Sequence, residues 1–294
     1  MLVFDDLHWA DDNLLDFVEH IVDWAVGVPI LVVCTTRPEL FERRSGWAAN
    51  TRNATRLSLA PLSDAETAEL ISGLSARPVM AAETQLQLLD RAGGNPLFAE
   101  QYVHMLAERP DAGEFPLPET VQGIIAARLD ALPAEEKRLL QDAAVLGKVF
   151  WLGAVVPKDN GDRRAIEMRL HALERKDFIQ RARRSSVADE AEYAFLHSLV
   201  RDVAYGQIPR GERAEKHRLA AEWIGMLARG EDHAEMRAHH YRSARELRRA
   251  AGQPVDAAFA ARALESLRDA GDRAYALNAY ATSTGFYQSA LELA

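Results

Sequence analysis

Leu2-Val-Phe-Asp-Asp-Leu-His-Trp-Ala-Asp11 opens the chain with three apolar residues, two adjacent acids and a mixed aromatic and polar stretch. An apolar run that ends abruptly in charge reads as a short strand stub, Leu2–Phe4. Asn13–Val26 then carries helical periodicity, and Pro29–Thr35 is a continuous apolar run, the pattern of a strand covered on both faces. Strand, helix and strand predict a parallel-sheet unit. In such a unit Asp5 and Arg37 leave the sheet from the same edge.

Downstream, helical signals dominate. Glu66 follows Ser63 at capping-box spacing, so a helix is predicted to start at Ser63 or Asp64. A helix over Glu83–Ala92 ends at Gly93-Gly94, Pro96 starts another, and Glu108–Pro118 reads as a linker. Helices at about 119–131, 134–146 and 163–176 precede a hairpin with strands Phe178–Arg183 and Glu192–Leu196. Three helices and a hairpin describe a winged helix. From about residue 212 the chain is alanine-rich and helical, with Leu219, Trp223 and Leu227 at i, i+4, i+8, as are Phe259, Ala263 and Leu267. Gly271, Ser283, Tyr287 and Ala290 have the offsets of a tetratricopeptide repeat, whose small residues let paired helices approach. A bare helical hairpin fits them too.

Composition narrows the function classes. The 294 residues suffice for two or three units at roughly 100–200 residues per domain, and an apolar content of 48% is that of a globular chain. A net charge of -9 argues against broad nucleic-acid binding. Cys34 is the single cysteine and cannot form an internal disulfide, which fits a reducing compartment. Asp5 and Asp6 interrupt any signal-peptide pattern, and the apolar stretch from about Trp24 to Cys34 is too short for a bilayer and broken by Pro29. The expectation is a cytoplasmic protein without a membrane partner.

Phe4-Asp-Asp-Leu-His-Trp-Ala-Asp11 resembles the Walker B segment of the STAND class of P-loop ATPases, and more narrowly the modules found beside class III adenylate cyclases and in large LuxR-type regulators. Three further stretches match in the family's order. Val32-Val-Cys-Thr-Thr-Arg-Pro-Glu39 looks like the sensor strand, Gly93-Gly-Asn-Pro-Leu-Phe-Ala-Glu100 like the Gly-x-Pro motif, and Phe195-Leu-His-Ser-Leu-Val-Arg-Asp-Val-Ala-Tyr205 like the end of the winged helix. The resemblance implies that Asp5 holds Mg²⁺, Asp6 orients the attacking water, Arg37 reads the γ-phosphate, Pro96 packs on adenine and His197 meets the β-phosphate. Each has a plainer reading: a solvated turn for the acids, a strand-end cap for Arg37, a preset φ at a helix start for Pro96 and a structural histidine for His197.

The expected fold is mostly α with a partial α/β P-loop NTPase core, a winged helix and a TPR-like α-helical tail. Its parts are 1–60 (rear of the NTPase core), 61–117 (helical lid), 118–205 (winged helix) and 206–294 (tail). One departure is large: nothing matches Gly-x-x-x-x-Gly-Lys-[Ser/Thr], and the Gly147-Lys148 pair is followed by Val149. The expectation is therefore part of an ATP/ADP- and Mg-dependent switch, truncated before Walker B and binding nucleotide weakly or not at all on its own. It would meet its missing N-terminal half, and a protein partner or another copy through the tail. The alternatives are a non-enzymatic interaction module and a winged-helix DNA-binding regulator, the latter drawing on Arg163, Arg164, Arg169, Arg175, Lys176, Arg181, Arg183 and Arg184, which Glu167, Glu174 and Asp177 dilute. His233, His239 and His240 lack a metal-binding pattern and are expected on the surface.

Overall fold

The computed structural model describes residues 1–25, 27–49, 51, 54–74, 82–108, 118–156, 162–227 and 233–293. They form a mostly helical protein with two small sheets. The chain divides into two compact units, Met1–Ala60 and Pro61–Ala294. The linker expected at Glu108–Pro118 lies, apart from its two ends, outside the described residues.

In the first unit β1 (Leu2–Phe4), α1 (Asp12–Trp24), β2 (Val32–Cys34) and α2 (Glu39–Arg43) follow one another. Asp11 caps α1, its carboxylate accepting from the Leu14 amide at 2.9 Å. The strands pair in parallel, Leu2 opposite Val32 and Phe4 opposite Cys34. Phe4, Val32 and Cys34 face a core of Leu7, Leu15, Val18, Leu40 and Trp47. The pleat turns Val3 and Val33 the other way, and both are exposed, as are Ile30 and Leu31. This corrects the reading of Pro29–Thr35 as a strand covered on both faces: three of its residues are strand, and only one face of the described pair meets a packed layer. Cys34 is half-buried, which raises its thiol pKa.

The second unit begins with α3 (Asp64–Leu74), α4 (Ala82–Ala92) and α5 (Pro96–Glu108). The capping box forms as spaced: Glu66 Oε2 accepts from the Ser63 amide at 2.8 Å and from its hydroxyl at 2.7 Å. In return the Ser63 hydroxyl accepts from the Glu66 amide at 3.3 Å. Gly94, at φ +74°, brings its carbonyl to the Leu62 amide at 2.9 Å, and a Cβ there would collide with the Leu62 carbonyl. Glycine alone permits this approach of the chain to the α4–α5 turn.

Next come α6 (Val121–Asp130), α7 (Ala134–Leu146), β3 (Val149–Trp151), α8 (Leu152–Val155), α9 (Arg163–Arg175), β4 (Ile179–Arg181), β5 (Glu192–Phe195) and α10 (Ser198–Gly206). Three helices and a hairpin omit β3 and α8. The sheet has the order β3-β5-β4, antiparallel throughout, with Phe150 opposite Tyr193 and Ile179 opposite Phe195. Phe150 stacks on Tyr193 at 5.7 Å, and both join Leu129, Leu140, Leu170, Leu173 and Phe178 in the main core.

The tail comprises α11 (Arg210–Ile224), α12 (Ala234–Ala250), α13 (Ala257–Ala276) and α14 (Tyr280–Leu291). Phe259, Ala263 and Leu267 are buried as their spacing predicts. The Leu219, Trp223, Leu227 stripe is corrected: Leu219 is exposed, and the buried residues of α11 are Ala214, His217, Ala220, Ala221 and Ile224. Small side chains there let α11 lie close to α12, so the deepest face is not the bulkiest one. Trp223 instead stacks on Trp151, centroids 5.7 Å apart and 22° between planes, and the Trp151 indole N–H bonds Ser186 and Glu192. Between α13 and α14 the Ser283 hydroxyl donates to the Gly271 carbonyl at 2.9 Å. A Cβ on Gly271 would lie 2.7 Å from the Tyr287 ring, so the aromatic fills the space that glycine leaves.

Arg128 ties the layers together. Its guanidinium, 1% exposed, donates to Glu108 at 2.6, 3.1 and 3.2 Å, to the Lys176 carbonyl at 2.7 Å and to Gln101 Oε1, and it lies 4.4 Å over the Phe178 ring. Replacing Arg128 by leucine strands the Glu108 carboxylate and the Lys176 carbonyl. Urea unfolding is expected to show a loss of about 3 kcal/mol, partly recovered by adding Glu108→Gln. Lysine at 128, without the planar fork, is not expected to restore it.

Candidate functional site

At the end of the parallel pair, residues from both strands meet. The Thr35 hydroxyl donates to the Asp5 carboxylate and accepts from the Asp6 amide at 2.9 Å. Backbone bonds continue the pairing beyond the strands, Thr35 amide to Phe4 carbonyl and Leu7 amide to Thr35 carbonyl, each 2.9 Å. Asp6 adopts a left-handed conformation at φ 57°, an uncommon setting for a residue with a side chain and one found at constrained sites. That bend directs the chain into the 3-10 turn Leu7–Trp9, whose Leu7 is in the core while Asp5 is exposed. The His8 side chain is 6% exposed, with Nδ1 4.0 Å from the Asp6 carboxylate and no hydrogen-bond partner among the described residues.

Arg37 leaves the same edge after Thr35 and Thr36 and is exposed. Its carbonyl accepts from the Thr36 hydroxyl and the Leu40 amide, anchoring the start of α2 while the guanidinium faces solvent. Asp5 and Thr35 place hard oxygens side by side, the donor type that a cation such as Mg²⁺ takes. Among the described residues no group of three or more His, Cys, Asp or Glu side chains forms a metal cage. Thr35 and His8 were not singled out in the sequence; a threonine immediately after the second apolar run, level with Asp5, was the available signal.

Pro96 and His197 belong to the other unit. Pro96 is exposed at the first position of α5, where its missing N–H costs nothing, and Asn95 Oδ1 caps the helix by accepting from Leu97 and Phe98 amides at 3.0 and 3.4 Å. One turn later on the same face, Glu100 reaches His197. Its two oxygens lie 3.3 and 3.2 Å from His197 Nε2. Glu100 also lies 3.7 Å from His104, whose other ring nitrogen is 3.7 Å from Asp177. His104 and His197 hold the Glu100 carboxyl well below its usual range, at about 2, against the opposing effect of burial. The proline-bearing helix and His197 are therefore linked through Glu100, a residue quoted in the motif without a role.

The surface expectation for the tail histidines needs correction at His240. His240 is buried rather than on the surface, His239 is exposed and His233 is half-buried. His240 shares a 2.8 Å Nδ1–Nδ1 bond with buried His217 of α11, whose Nε2 meets the Tyr205 hydroxyl at 3.0 Å. Burial first, then neighbouring His239, Arg201 and Arg213, lower the His217 pKa; burial, His217, His239 and Arg201 lower that of His240. Helical periodicity along α12 turns His240 inward with Ala234, Ala238, Tyr241 and Ala244, a position that a lone His-His pair does not reveal in sequence.

No protein-family profile matches the chain. An uncharacterized protein of Rhizobium meliloti (strain 1021) is 28% identical over 231 residues, 74% of this chain and 22% of that protein. The chain thus spans about a fifth of that relative's length.

These titrations set a direction for acid. Folded His217 and His240 bind protons less readily than in the unfolded chain, so stability falls as pH drops below about 6.5. Glu100 has a depressed folded pKa, so its contribution is complete above the unfolded value of about 4.3 and is lost as pH falls towards about 2. Urea unfolding is expected to lose stability already between about pH 6.5 and 5, with a shallower loss for His240→Gln. A flat profile there would contradict the buried pair.

Proposed function

We propose that this chain is the rear portion of an ATP/ADP-controlled signal-transduction switch of the STAND class, whose output is a cyclase or a transcriptional domain outside it. The observation that carries the reading is Thr35 clasping Asp5 and the Asp6 amide where two parallel strands end. That edge of a parallel sheet is where α/β proteins receive phosphates and their metal. In this reading Asp5 holds Mg²⁺, Asp6 orients the attacking water and Arg37, exposed at the same edge, senses the γ-phosphate.

Further support comes from the second unit. The order β3-β5-β4 with α7, α8 and α9 preceding the hairpin suits a winged helix, and the Glu100–His197 contact joins its last helix to the Gly-x-Pro segment. Nucleotide bridging these parts would favour one arrangement over another by differential contact. The Gly271–Tyr287 fit of α13 and α14 suits a repeat-like tail that receives a protein partner or another copy. A DNA-reading role is less favoured. Arg163 pairs with Glu190, Arg169 with Glu135 and Lys176 with Glu136, so part of the basic face is already neutralised.

The residues present do not make a whole ATP site. Phosphate affinity in such folds comes from the amides of a glycine-rich loop and its lysine, and the sequence has no such motif. Calorimetry of the 294-residue chain with Mg-ATP is expected to show binding weaker than millimolar and no steady phosphate release; micromolar affinity would sink the reading. If the coding sequence upstream of Met1 supplies a Gly-Lys-[Ser/Thr] loop, the extended protein is expected to bind ATP. Its hydrolysis should then fall by about 100-fold or more in Asp5→Asn and in Arg37→Ala.

A further inference from the structure

Two imidazoles from different elements converge on a single carboxylate at the start of α10. His197 comes from the end of β5, His104 lies on α5, and Glu100 stands between them. His197 is the N-cap residue of α10, yet its side chain makes no capping bond. Its ring is committed to Glu100, 97 residues away in sequence, and not to the backbone. With 29% of the His197 side chain and 23% of the Glu100 side chain exposed, a solute can reach the contact.

We propose that Glu100 is an internal stand-in for a phosphate at His197, so that a polyphosphate entering here must displace the Glu100 carboxylate. The proposal rests on the nucleotide reading of His197 given above. The exchange is one anion for another: no bond forms or breaks, and the imidazoles keep a negative partner throughout. It is also asymmetric. His104 retains Asp177, so α5 stays fastened to the turn between α9 and β4 while its hold on the start of α10 is released. Arg128 provides a second fastening of the same pair, through Gln101 and Glu108 on one side and the Lys176 carbonyl on the other. Displacement therefore breaks the side-chain link from Glu100 to the start of α10 without parting the layers, since Arg201 still holds α10 to the Ala144 carbonyl. Glu100 sits one turn after Pro96 on the same helix face, so an occupant of His197 would extend along the side of α5 that the motif begins.

The test uses the 294-residue chain and inorganic pyrophosphate, followed by the histidine ring signals in NMR, with His197→Asn identifying the His197 signal among nine histidines. Glu100→Gln is expected to bind pyrophosphate at His197 at least about tenfold more tightly than wild type, the weight of one charge-assisted hydrogen bond removed from competition. Glu100→Asp keeps the charge on a shorter arm and is expected to fall between the two. Equal affinity in all three, or no response in any, overturns the proposal. If Glu100→Gln does not fold by thermal melting, Glu100→Asp decides alone: tighter than wild type supports it, equal affinity overturns it. The wider reading fails separately. An extended protein carrying the phosphate loop that binds no ATP, while Glu100→Gln still gains pyrophosphate, removes the nucleotide switch and leaves the anion exchange standing.

Discussion

The second unit is organised around a charge that has been taken out of water. Arg128 brings a guanidinium into the core at 1% exposure, and a buried cation of that kind is tolerated only when its donors are answered. The answers come from three places: Gln101 and Glu108 on α5, and the Lys176 carbonyl after α9. Because the fork is planar and its directions fixed, those groups cannot wander independently. The position of α5 relative to α6 and to the α9–β4 turn follows from this, and with it the position of Pro96, Glu100 and His104. The cation also lies on Phe178, so the polar hub and the aromatic core share one boundary.

Local structure is legible in the sequence where a single stretch contains both the cause and the effect. The Ser63–Glu66 capping box and the Pro96 helix start are of this type, since every partner lies within three residues. The strand β3 is different. Its three residues sit between helical stretches and become a strand by pairing with β5, some forty residues on. Nothing within Val149–Trp151 specifies that partner. Leu219 fails for a related reason: an i, i+4, i+8 stripe marks a face of α11, but α12 packs on the face where alanines allow close approach.

The candidate site divides in the same way. Asp5, Asp6 and Arg37 were legible because an apolar strand followed by charge is written contiguously, and parallel pairing then brings the two strand ends level. Thr35 was not, because its importance is a hydroxyl shared across the pair. Glu100 was quoted as the last letter of a motif, yet its partner His197 is supplied by another element. Buried His240 was hidden for the same reason. His240 is interior because α11 presents a hydrogen-bonding partner to it, the His217 ring.

The Trp151–Trp223 stack has a mechanical meaning. Trp151 is pinned to Ser186 and Glu192 through its indole nitrogen, whereas Trp223 contributes a ring face to the contact. Stacked aromatic faces contribute about 0.5–1.5 kcal/mol beyond their buried area, so the contact resists separation of α11 from β3. Lys216 of the same helix pairs with Asp142 of α7, so α11 is held by an ion pair as well as by two rings. Trp151 is the rivet between the first helix of the tail and the hairpin: one side chain engages β5, the turn before it and α11.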